Sequence, residues 1–254
     1  MTLKQAAGFV VMVLVTAACS QLKEKPVFDF VMKDFKVQSE GGCNLGGDSV
    51  CVSFDVQYPE FMGLDTAVRA SINERVNFIL NGSEGEPKSL QKMGDDFVKD
   101  YNEFMKEMPG YDLGWYFRGQ VTVLISSDTL ISLQVDTESF TGGVHPTYST
   151  NFVNVEPKTG TAFLLDAMLR PGYQEELNRL GKEDLRNQLE LGESDSLTLP
   201  IEEDLEDGPF ELNDNYGFRK EGIVFYFNDY EVGSFAEGPI EILIPYEVLQ
   251  DWKK

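Results

Sequence analysis

At 254 residues, with 42% apolar and 12% aromatic residues, the chain can bury one large hydrophobic core or two smaller ones. This composition excludes an intrinsically disordered protein. The formal net charge of −22 at pH 7 opposes binding to nucleic acid or to an anionic lipid surface, whereas basic proteins and cations are attracted. A well-solvated acidic surface is the simpler explanation of the charge, since high net charge favours solubility.

The N-terminus predicts export. Lys4 supplies a positive charge, residues 6–15 are apolar, and residues 16–19 (Thr-Ala-Ala-Cys) form a small-residue cleavage site that ends in cysteine. The order resembles a bacterial lipoprotein signal, which implies cleavage before Cys19 and acylation of that cysteine. An ordinary secretory signal with an unrelated cysteine is the alternative.

We therefore expect residues 1–18 to be a signal peptide and residues 19–25 to be a lipid-anchored tether. Several acyl chains, at about 0.8 kcal/mol per buried methylene, would hold the protein firmly on a membrane face. The expected location is the bacterial cell envelope, either at the outer membrane, on a periplasmic face or at the cell surface.

Two further cysteines, Cys43 and Cys51, flank a short glycine-containing segment. Disulfides persist in exported proteins, so we expect these two thiols to pair. Such a short bridge would stabilise the fold by about 2.5 kcal/mol. Metal binding by this pair is the weaker alternative, because two cysteines without a neighbouring histidine do not complete a tetrahedral site.

The first half of the chain predicts two paired strands followed by two helices. Apolar residues alternate over residues 28–37 and 50–56, as in half-buried strands. Asp65 is placed as an N-cap of a helix that stops at Asn81-Gly82. A second helix carries an apolar stripe that we expect to be core rather than a ligand groove, formed by Leu90, Met93, Phe97, Tyr101, Phe104 and Met108.

From Trp115 onward the pattern is mainly that of strands. Residues 116–126 and 129–140 predict two long strands joined by a two-residue turn at Ser127-Asp128, and residues 148–155 predict a third. A short helical turn is expected at 163–169, and a later helix is expected to be interrupted at Gly181. The closing segments predict strands between residues 222 and 245 and a short terminal helix near Trp252.

An acidic connection spans residues 191–214 and contains a carboxylate cluster at residues 202–207. It lacks the order of ligands of a calcium-binding EF-hand loop, so a solvated loop is favoured. The fold class predicted for the whole chain is α+β, with two mixed modules of antiparallel sheet packed with amphipathic helices. We place the first module at residues 26–112 and the second at residues 113–254.

The only histidine lies in residues 140–146, Phe-Thr-Gly-Gly-Val-His-Pro, between two predicted strands. Two adjacent glycines and a proline predict a shaped crossing, because glycine adopts dihedrals that other residues avoid and proline fixes φ. The candidate binding residues in and beside this crossing are Thr141, Gly142, Gly143, His145, Pro146 and Tyr148.

Catalysis is considered as an alternative. His145 could act as a general base with Asp136, Glu138 or Asp166 as a partner, because such roles need titratable groups within hydrogen-bond reach. A lone histidine beside glycine and proline is more often a structural hydrogen-bonding residue. Neither a Gly-x-Ser-x-Gly nucleophile motif nor a His-Glu-x-x-His metal motif occurs in the sequence.

Residues 140–169 and 222–246 carry a family resemblance. The Thr-Gly-Gly-Val-His-Pro crossing with its following strand, the Leu-Leu-Asp-Ala-Met-Leu segment at 164–169 and the Gly-Ile-Val-Phe-Tyr-Phe strand at 222–227 resemble the RsiV-like domain of bacterial envelope proteins. The resemblance covers most of residues 115–250, and the region before it looks like the companion module often found upstream.

This resemblance implies an α+β envelope module, known in one branch as the extracellular lysozyme-binding sensor of an anti-sigma factor. Related modules also precede polysaccharide-deacetylase domains. The sequence shows no sigma-binding segment and no deacetylase set of carboxylate and histidine metal ligands, so we do not expect direct anti-sigma action.

The functional hypothesis is a lipid-anchored cell-envelope binding module that captures a protein, such as a basic lysozyme-like hydrolase, or an envelope glycan such as peptidoglycan or another polysaccharide. The alternative is an envelope glycan hydrolase or deacetylase-type enzyme that uses His145. A structural lipoprotein without a small ligand is the third possibility. We expect no cofactor and no metal.

Overall fold

The computed structural model describes residues 27–39, 51–190, 210–231 and 238–254. The predicted signal peptide and tether, Cys19, Cys43 and the carboxylate cluster at 202–207 lie outside the described residues. Cys51 is disulfide-bonded. Its pairing with Cys43 stays a prediction.

The first part of the chain forms a five-stranded sheet with two helices. Its elements are β1 (Phe30–Gln38), β2 (Val52–Phe61), α1 (Thr66–Leu80), α2 (Leu90–Glu107), β3 (Trp115–Ser126), β4 (Ile131–Phe140) and β5 (Thr147–Val155). The strand order is β1-β2-β3-β4-β5. All neighbours are antiparallel except β2 and β3, which are parallel because both helices lie between them in the chain.

The rest of the described chain forms a smaller layer. Its elements are α3 (Leu165–Met168), α4 (Tyr173–Gln188), β6 (Tyr216–Phe218), β7 (Gly222–Phe227), β8 (Ile240–Pro245) and a 3-10 helix (Gln250–Trp252). The strands form an antiparallel sheet in the order β6-β7-β8, and α4 packs against β8. The α+β prediction is confirmed.

The helix boundaries follow from capping side chains. Asp65 accepts a hydrogen bond from the Ala67 amide, as its N-cap pattern predicts, and Ser89 caps α2 by accepting from the Lys92 amide. Helix α1 ends at Asn81, followed by Gly82 with a positive φ. The predicted first helix is therefore confirmed at both ends.

Each sheet has its own core. In the first core, α1 packs one face against alternate residues of the central strands, and the buried residues of that face recur every four positions. That face consists of Val68, Ile72, Val76 and Leu80. The second core lies between α3, α4, the three-stranded sheet and the C-terminal segment. Its fully buried side chains include Phe218, Ile223, Ile242, Ile244 and Leu249.

Two local predictions are wrong. Helix α4 is continuous through Gly181, because that buried glycine admits the side chain of Leu212; a Cβ at Gly181 would come closer than 3.0 Å to it. The turn between β3 and β4 has Asp128-Thr129 at its tip rather than Ser127-Asp128. Ser127 closes the turn, since its amide donates to the Leu130 carbonyl and its hydroxyl accepts from the Leu130 amide.

The predicted module boundary at residue 113 falls among elements of one sheet. Strand β3 begins at Trp115 and pairs with β2, which lies on the other side of that boundary in the sequence. The division into residues 26–112 and 113–254 stays a prediction, while the sheets themselves divide the chain after β5. Among the described residues, no helix has the length and hydrophobicity needed to cross a bilayer.

Candidate functional site

The face of the five-stranded sheet that points away from α1 and α2 is polar. Strand β4 turns Ile131, Leu133 and Val135 toward the helices, where they are fully buried. Side chains alternate along a strand, so Asp136 and Glu138 lie on the opposite face. We call this opposite side the polar face.

One end of the polar face carries a compact cluster around Glu138. The Tyr116 hydroxyl donates to Glu138 Oε1 over 2.8 Å, and Arg118 Nη1 lies 3.0 Å from Oε2. The guanidinium of Arg118 also lies 4.4 Å from the centre of the Tyr116 ring. Burial, and then the hydrogen bond to Glu138, raise the pKa of Tyr116 to about 12. Both oxygens of Glu138 are therefore engaged.

Next to this cluster is a groove of about 420 Å³ between the first sheet and the loop after β7. We call it the β5–β7 groove. Its lining residues come from β4, β5 and the second sheet, and they include hydroxyls, carboxylates, an amide and two phenols: Asp136, Thr137, Tyr148, Ser149, Thr150, Tyr226, Asn228, Asp229 and Pro239.

The walls of this groove are joined by hydrogen bonds. Asp136 Oδ1 accepts from the Thr150 hydroxyl over 2.8 Å and from Gln134 Nε2 over 2.9 Å. The Thr150 amide donates to Asn228 Oδ1 over 2.7 Å, which links β5 to the second sheet. A carboxylate, an amide and hydroxyls are thus held in fixed positions around one opening.

Two tyrosines line the same groove. Tyr148 is 48% exposed, whereas Tyr226 is half-buried. Burial raises the pKa of Tyr226, and a hydrogen bond with Thr150 partly offsets that effect. The groove therefore places the phenol of Tyr226, whose pKa is raised, and the more exposed ring of Tyr148 beside the Asp136 side chain.

The crossing at residues 141–146 lies where β4 ends and β5 begins. Gly142 and Gly143 have φ values of 89° and 146°, as the predicted shaped turn requires. His145 is exposed, and its Nδ1 lies 2.9 Å from the carbonyl oxygen of Pro146. Thr141 is exposed and Pro146 is half-buried.

The structure brings only part of the predicted set together. Asp136 and Tyr148 line one groove. Asp136 lies opposite Thr150, three residues into β5, so it is about 10 Å along the strand from the crossing that holds His145. The acidic role of Asp136 beside His145 stays a prediction.

Asp166 lies elsewhere. It belongs to α3, which follows the far end of β5, and its carboxylate is hydrogen-bonded to Tyr173. The segment that enters α3 turns back beside the last residues of β5, where Ala162 pairs with Val155 and the Phe163 amide donates to the Asn154 carbonyl, whereas the crossing precedes the first residue of β5. The structure does not bring Asp166 to His145. Within the described ranges, no group of three or more His, Cys, Asp or Glu side chains is placed to hold a metal ion.

Sequence reasoning missed Tyr226 and Asn228 as groove residues. They belong to β7 and the turn after it, 78 positions from Thr150 for Asn228, so only the folded chain brings them to Asp136. The Asn-Asp pair at 228–229 signals a turn, but nothing in the sequence indicates which strand that turn touches.

Two family models match the chain. Residues 45–148 match the model described as Deacetylase PdaC, and residues 166–247 match the model described as Protein of unknown function (DUF3298). Asp136 belongs to the first match and Asn228 to the second, so the β5–β7 groove lies where the two matched regions meet.

Solved structures show the same fold. A DUF3298-family member from Bacteroides fragilis NCTC 9343 is similar with a TM-score of 0.68 and 21% identity, over 91% of this chain and 96% of that chain. A DUF3298-family protein from Pseudomonas aeruginosa PAO1 is similar with a TM-score of 0.62 and 17% identity, over 91% and 95%. No curated protein matches the chain.

The chain thus combines a PdaC-like region with a DUF3298-like region, on the fold seen in DUF3298-family structures. The expected order of an upstream companion module and a C-terminal domain agrees with these two matches. Their extents differ from the expectation, because residues 115–148, including the crossing, fall in the PdaC match and the DUF3298 match begins only at residue 166. The finer resemblance to RsiV stays a prediction.

Proposed function

We propose that this chain is a lipid-anchored binding module of a bacterial envelope, and that its β5–β7 groove binds an envelope glycan. The proposed anchor is Cys19, and the lipoprotein-like signal at residues 1–18 supports it. The matches to a PdaC-like and a DUF3298-like region support the assignment to a module of this class.

The observation that carries the glycan proposal is the chemistry of the groove. Sugar hydroxyls donate to carboxylates such as that of Asp136, and the amide of Asn228 can both donate and accept. The ring of a half-exposed tyrosine such as Tyr148 offers an apolar surface with a polar end. A volume of about 420 Å³ lies within the usual range of ligand sites.

Binding of soluble peptidoglycan fragments and of envelope polysaccharide to residues 21–254 tests this proposal by calorimetry. Asp136→Asn is expected to weaken binding about tenfold, since a hydrogen bond to a charged group contributes about 1.5 kcal/mol or more. Tyr148→Ala is expected to weaken binding by up to about tenfold, because it removes the ring surface on which a sugar would stack. Asp34→Asn is the matched control, because Asp34 lies on β1 and is bound by Gln57. Equal affinity of all three variants and the parent chain would refute the groove assignment.

A basic protein is the second candidate ligand, and the net charge of −22 favours it through long-range attraction. A lysozyme-like hydrolase is the partner that the RsiV resemblance suggests. Capture of purified lysozyme by immobilised residues 21–254 would be measured at low and at physiological salt. This candidate fails if no lysozyme is retained or inhibited at physiological salt.

The enzymatic alternative draws on the match to a model described as Deacetylase PdaC. Under this alternative His145 would act as the general base of a glycan hydrolase or deacetylase. His145→Gln distinguishes the possibilities, since loss of turnover in a folded variant supports catalysis. A variant that is only less stable supports a structural role.

A further inference from the structure

A second cavity, of about 480 Å³, lies between α1, the outer edge of β5 and the segment that enters β6. We call it the junction groove. It shares no lining residue with the β5–β7 groove. Its floor and walls combine aromatic rings with charged side chains, chiefly Glu74, Arg75, Phe78, Phe152, Phe163 and Asp214.

The floor of the junction groove contains an unpaired stretch of strand edge. The Thr150 amide donates outward to Asn228, and the Asn154 carbonyl accepts outward from the Phe163 amide. These two residues show that the even-numbered positions of β5 direct their main-chain groups away from β4. Phe152 lies between them, and its N–H and C=O form no hydrogen bond with any described residue.

Nearby polar side chains do not fill this gap. The Ser71 hydroxyl donates to the Gly160 carbonyl over 2.7 Å, and Asn154 Nδ2 donates to the Tyr216 carbonyl over 2.7 Å. Both are therefore already used within the fold. The donor and acceptor of Phe152 remain available at the groove, flanked on each side by main-chain groups that have partners.

The charges at the groove are also available. Within the described ranges, the side chains of Glu74, Arg75 and Asp214 form no hydrogen bond and no ion pair. The groove therefore carries two carboxylates and one guanidinium, in a chain whose net charge is −22. Phe78 is 36% exposed beside them and supplies apolar surface.

We propose that the junction groove binds a short extended peptide that contains an apolar residue next to a basic one. The Phe152 N–H donates to a peptide carbonyl, and the Phe152 carbonyl accepts from a peptide N–H, so the peptide adds one strand segment at the edge of β5. The apolar side chain packs on Phe78 and Phe163, and the basic side chain faces Glu74 and Asp214. This assignment does not depend on the glycan proposal.

The blocked peptide acetyl-Lys-Phe-Lys-amide is the probe, added to residues 21–254, which include every described residue. Amide exchange read by NMR is expected to slow at least about tenfold at Phe152 when the peptide saturates the protein, because a hydrogen-bonded amide exchanges only after opening. Three analogues, each N-methylated at one residue, identify the donor. At least one of them is expected to bind about fivefold more weakly.

Charge provides an independent readout. Glu74→Lys is expected to weaken binding of this peptide about fivefold and to strengthen binding of acetyl-Glu-Phe-Glu-amide. Glu103→Lys is the matched control, since Glu103 is an exposed glutamate on α2 away from the groove. Its peptide affinity is expected to stay within twofold of the parent value.

Each of the following results would overturn the proposal. The Phe152 amide could exchange at its original rate in saturating peptide, all three N-methylated analogues could bind as tightly as the parent peptide, or Glu74→Lys could behave like Glu103→Lys. Protection of Phe152 by an oligosaccharide of N-acetylglucosamine, with no protection by the peptide, would also overturn it and would assign the groove to glycans.

Discussion

Gly142 lies directly against the hydroxyl of Tyr111, with so little space that a Cβ on Gly142 would come closer than 3.0 Å to Tyr111 Oη. The same glycine has a φ of 89°, which L-residues rarely adopt. Its neighbour Gly143 also has a positive φ, but a Cβ there would meet nothing within 4 Å. The two glycines of the crossing are thus constrained differently.

Gly142→Ala is expected to lower the free energy of unfolding by about 2–4 kcal/mol, because it adds overpacking against Tyr111 to backbone strain. Gly143→Ala adds only the strain and is expected to cost about 1–2 kcal/mol. Urea denaturation of both variants measures the difference. Equal losses would show that the Tyr111 side chain can move away from the added Cβ without lowering the free energy of unfolding further.

Removing the Tyr111 hydroxyl has the opposite expected effect. Tyr111 Oη is buried and has no hydrogen-bond partner among the described residues, while its ring packs edge-on against Phe104. Tyr111→Phe is expected to leave the free energy of unfolding unchanged or to raise it by about 1 kcal/mol. In the double variant it is expected to recover part of the loss caused by Gly142→Ala.

Tyr116→Phe provides the control for this prediction. The Tyr116 hydroxyl donates to Glu138, so its removal is expected to cost about 1.5 kcal/mol. The same urea titration applies. A similar loss in Tyr111→Phe would mean that its hydroxyl has a partner beyond the described residues.

Tyr116 also predicts a specific alkaline instability. Its folded pKa is raised to about 12, above the ordinary value of 10.0, by burial and by the hydrogen bond to Glu138. Above pH 10 the unfolded tyrosine loses its proton first, so the stabilisation is complete below pH 10 and is lost as the pH rises toward 12. Between pH 9 and pH 12, the thermal unfolding temperature of Tyr116→Phe is expected to fall less steeply with rising pH than that of the parent chain. Parallel curves would contradict this assignment.

The sequence was most informative where structure is decided locally. The cap at Asp65, the four-residue apolar spacing of α1 and the stop at Asn81 are all short-range features, and each appears as predicted. The positive φ of Gly142 and Gly143 follows in the same way from the residue type. The paired strands β1 and β2 follow from their alternation.

Features decided by distant contacts could not be predicted. Gly181 indicates a helix break on propensity alone, yet Leu212 occupies the space above it and α4 continues. The short strand β6 was missed, because three residues carry too little periodicity. Asn228 joins the groove at Asp136 only through tertiary contact, so one sequence without this fold could not place it there.

Buried Ser132 joins the two sheets, and its loss should show whether they unfold together. Its hydroxyl donates to Asn154 Oδ1 over 2.7 Å and accepts from the Phe218 amide over 3.0 Å. Ser132→Ala leaves the buried Phe218 amide without its hydrogen bond and removes one partner of half-buried Asn154, so the free energy of unfolding is expected to fall by about 1–3 kcal/mol. Ser149→Ala is the control, because Ser149 Oγ accepts only from neighbouring Asn151 among the described hydrogen bonds.

The two tryptophans allow each core to be followed separately. Trp115 packs beside Phe97 and Tyr101 near the first core, and Trp252 packs on the second. Fluorescence of Trp115→Phe and Trp252→Phe is expected to give coincident urea transitions, because Ser132, Asn154 and Thr150 tie the sheets together across their boundary. Adding Ser132→Ala is expected to move both transitions by the same amount. If Ser132→Ala moves only the transition reported by Trp252, in the Trp115→Phe variant, the three-stranded sheet unfolds independently. The chain would then divide into two folding units after β5 rather than at residue 113.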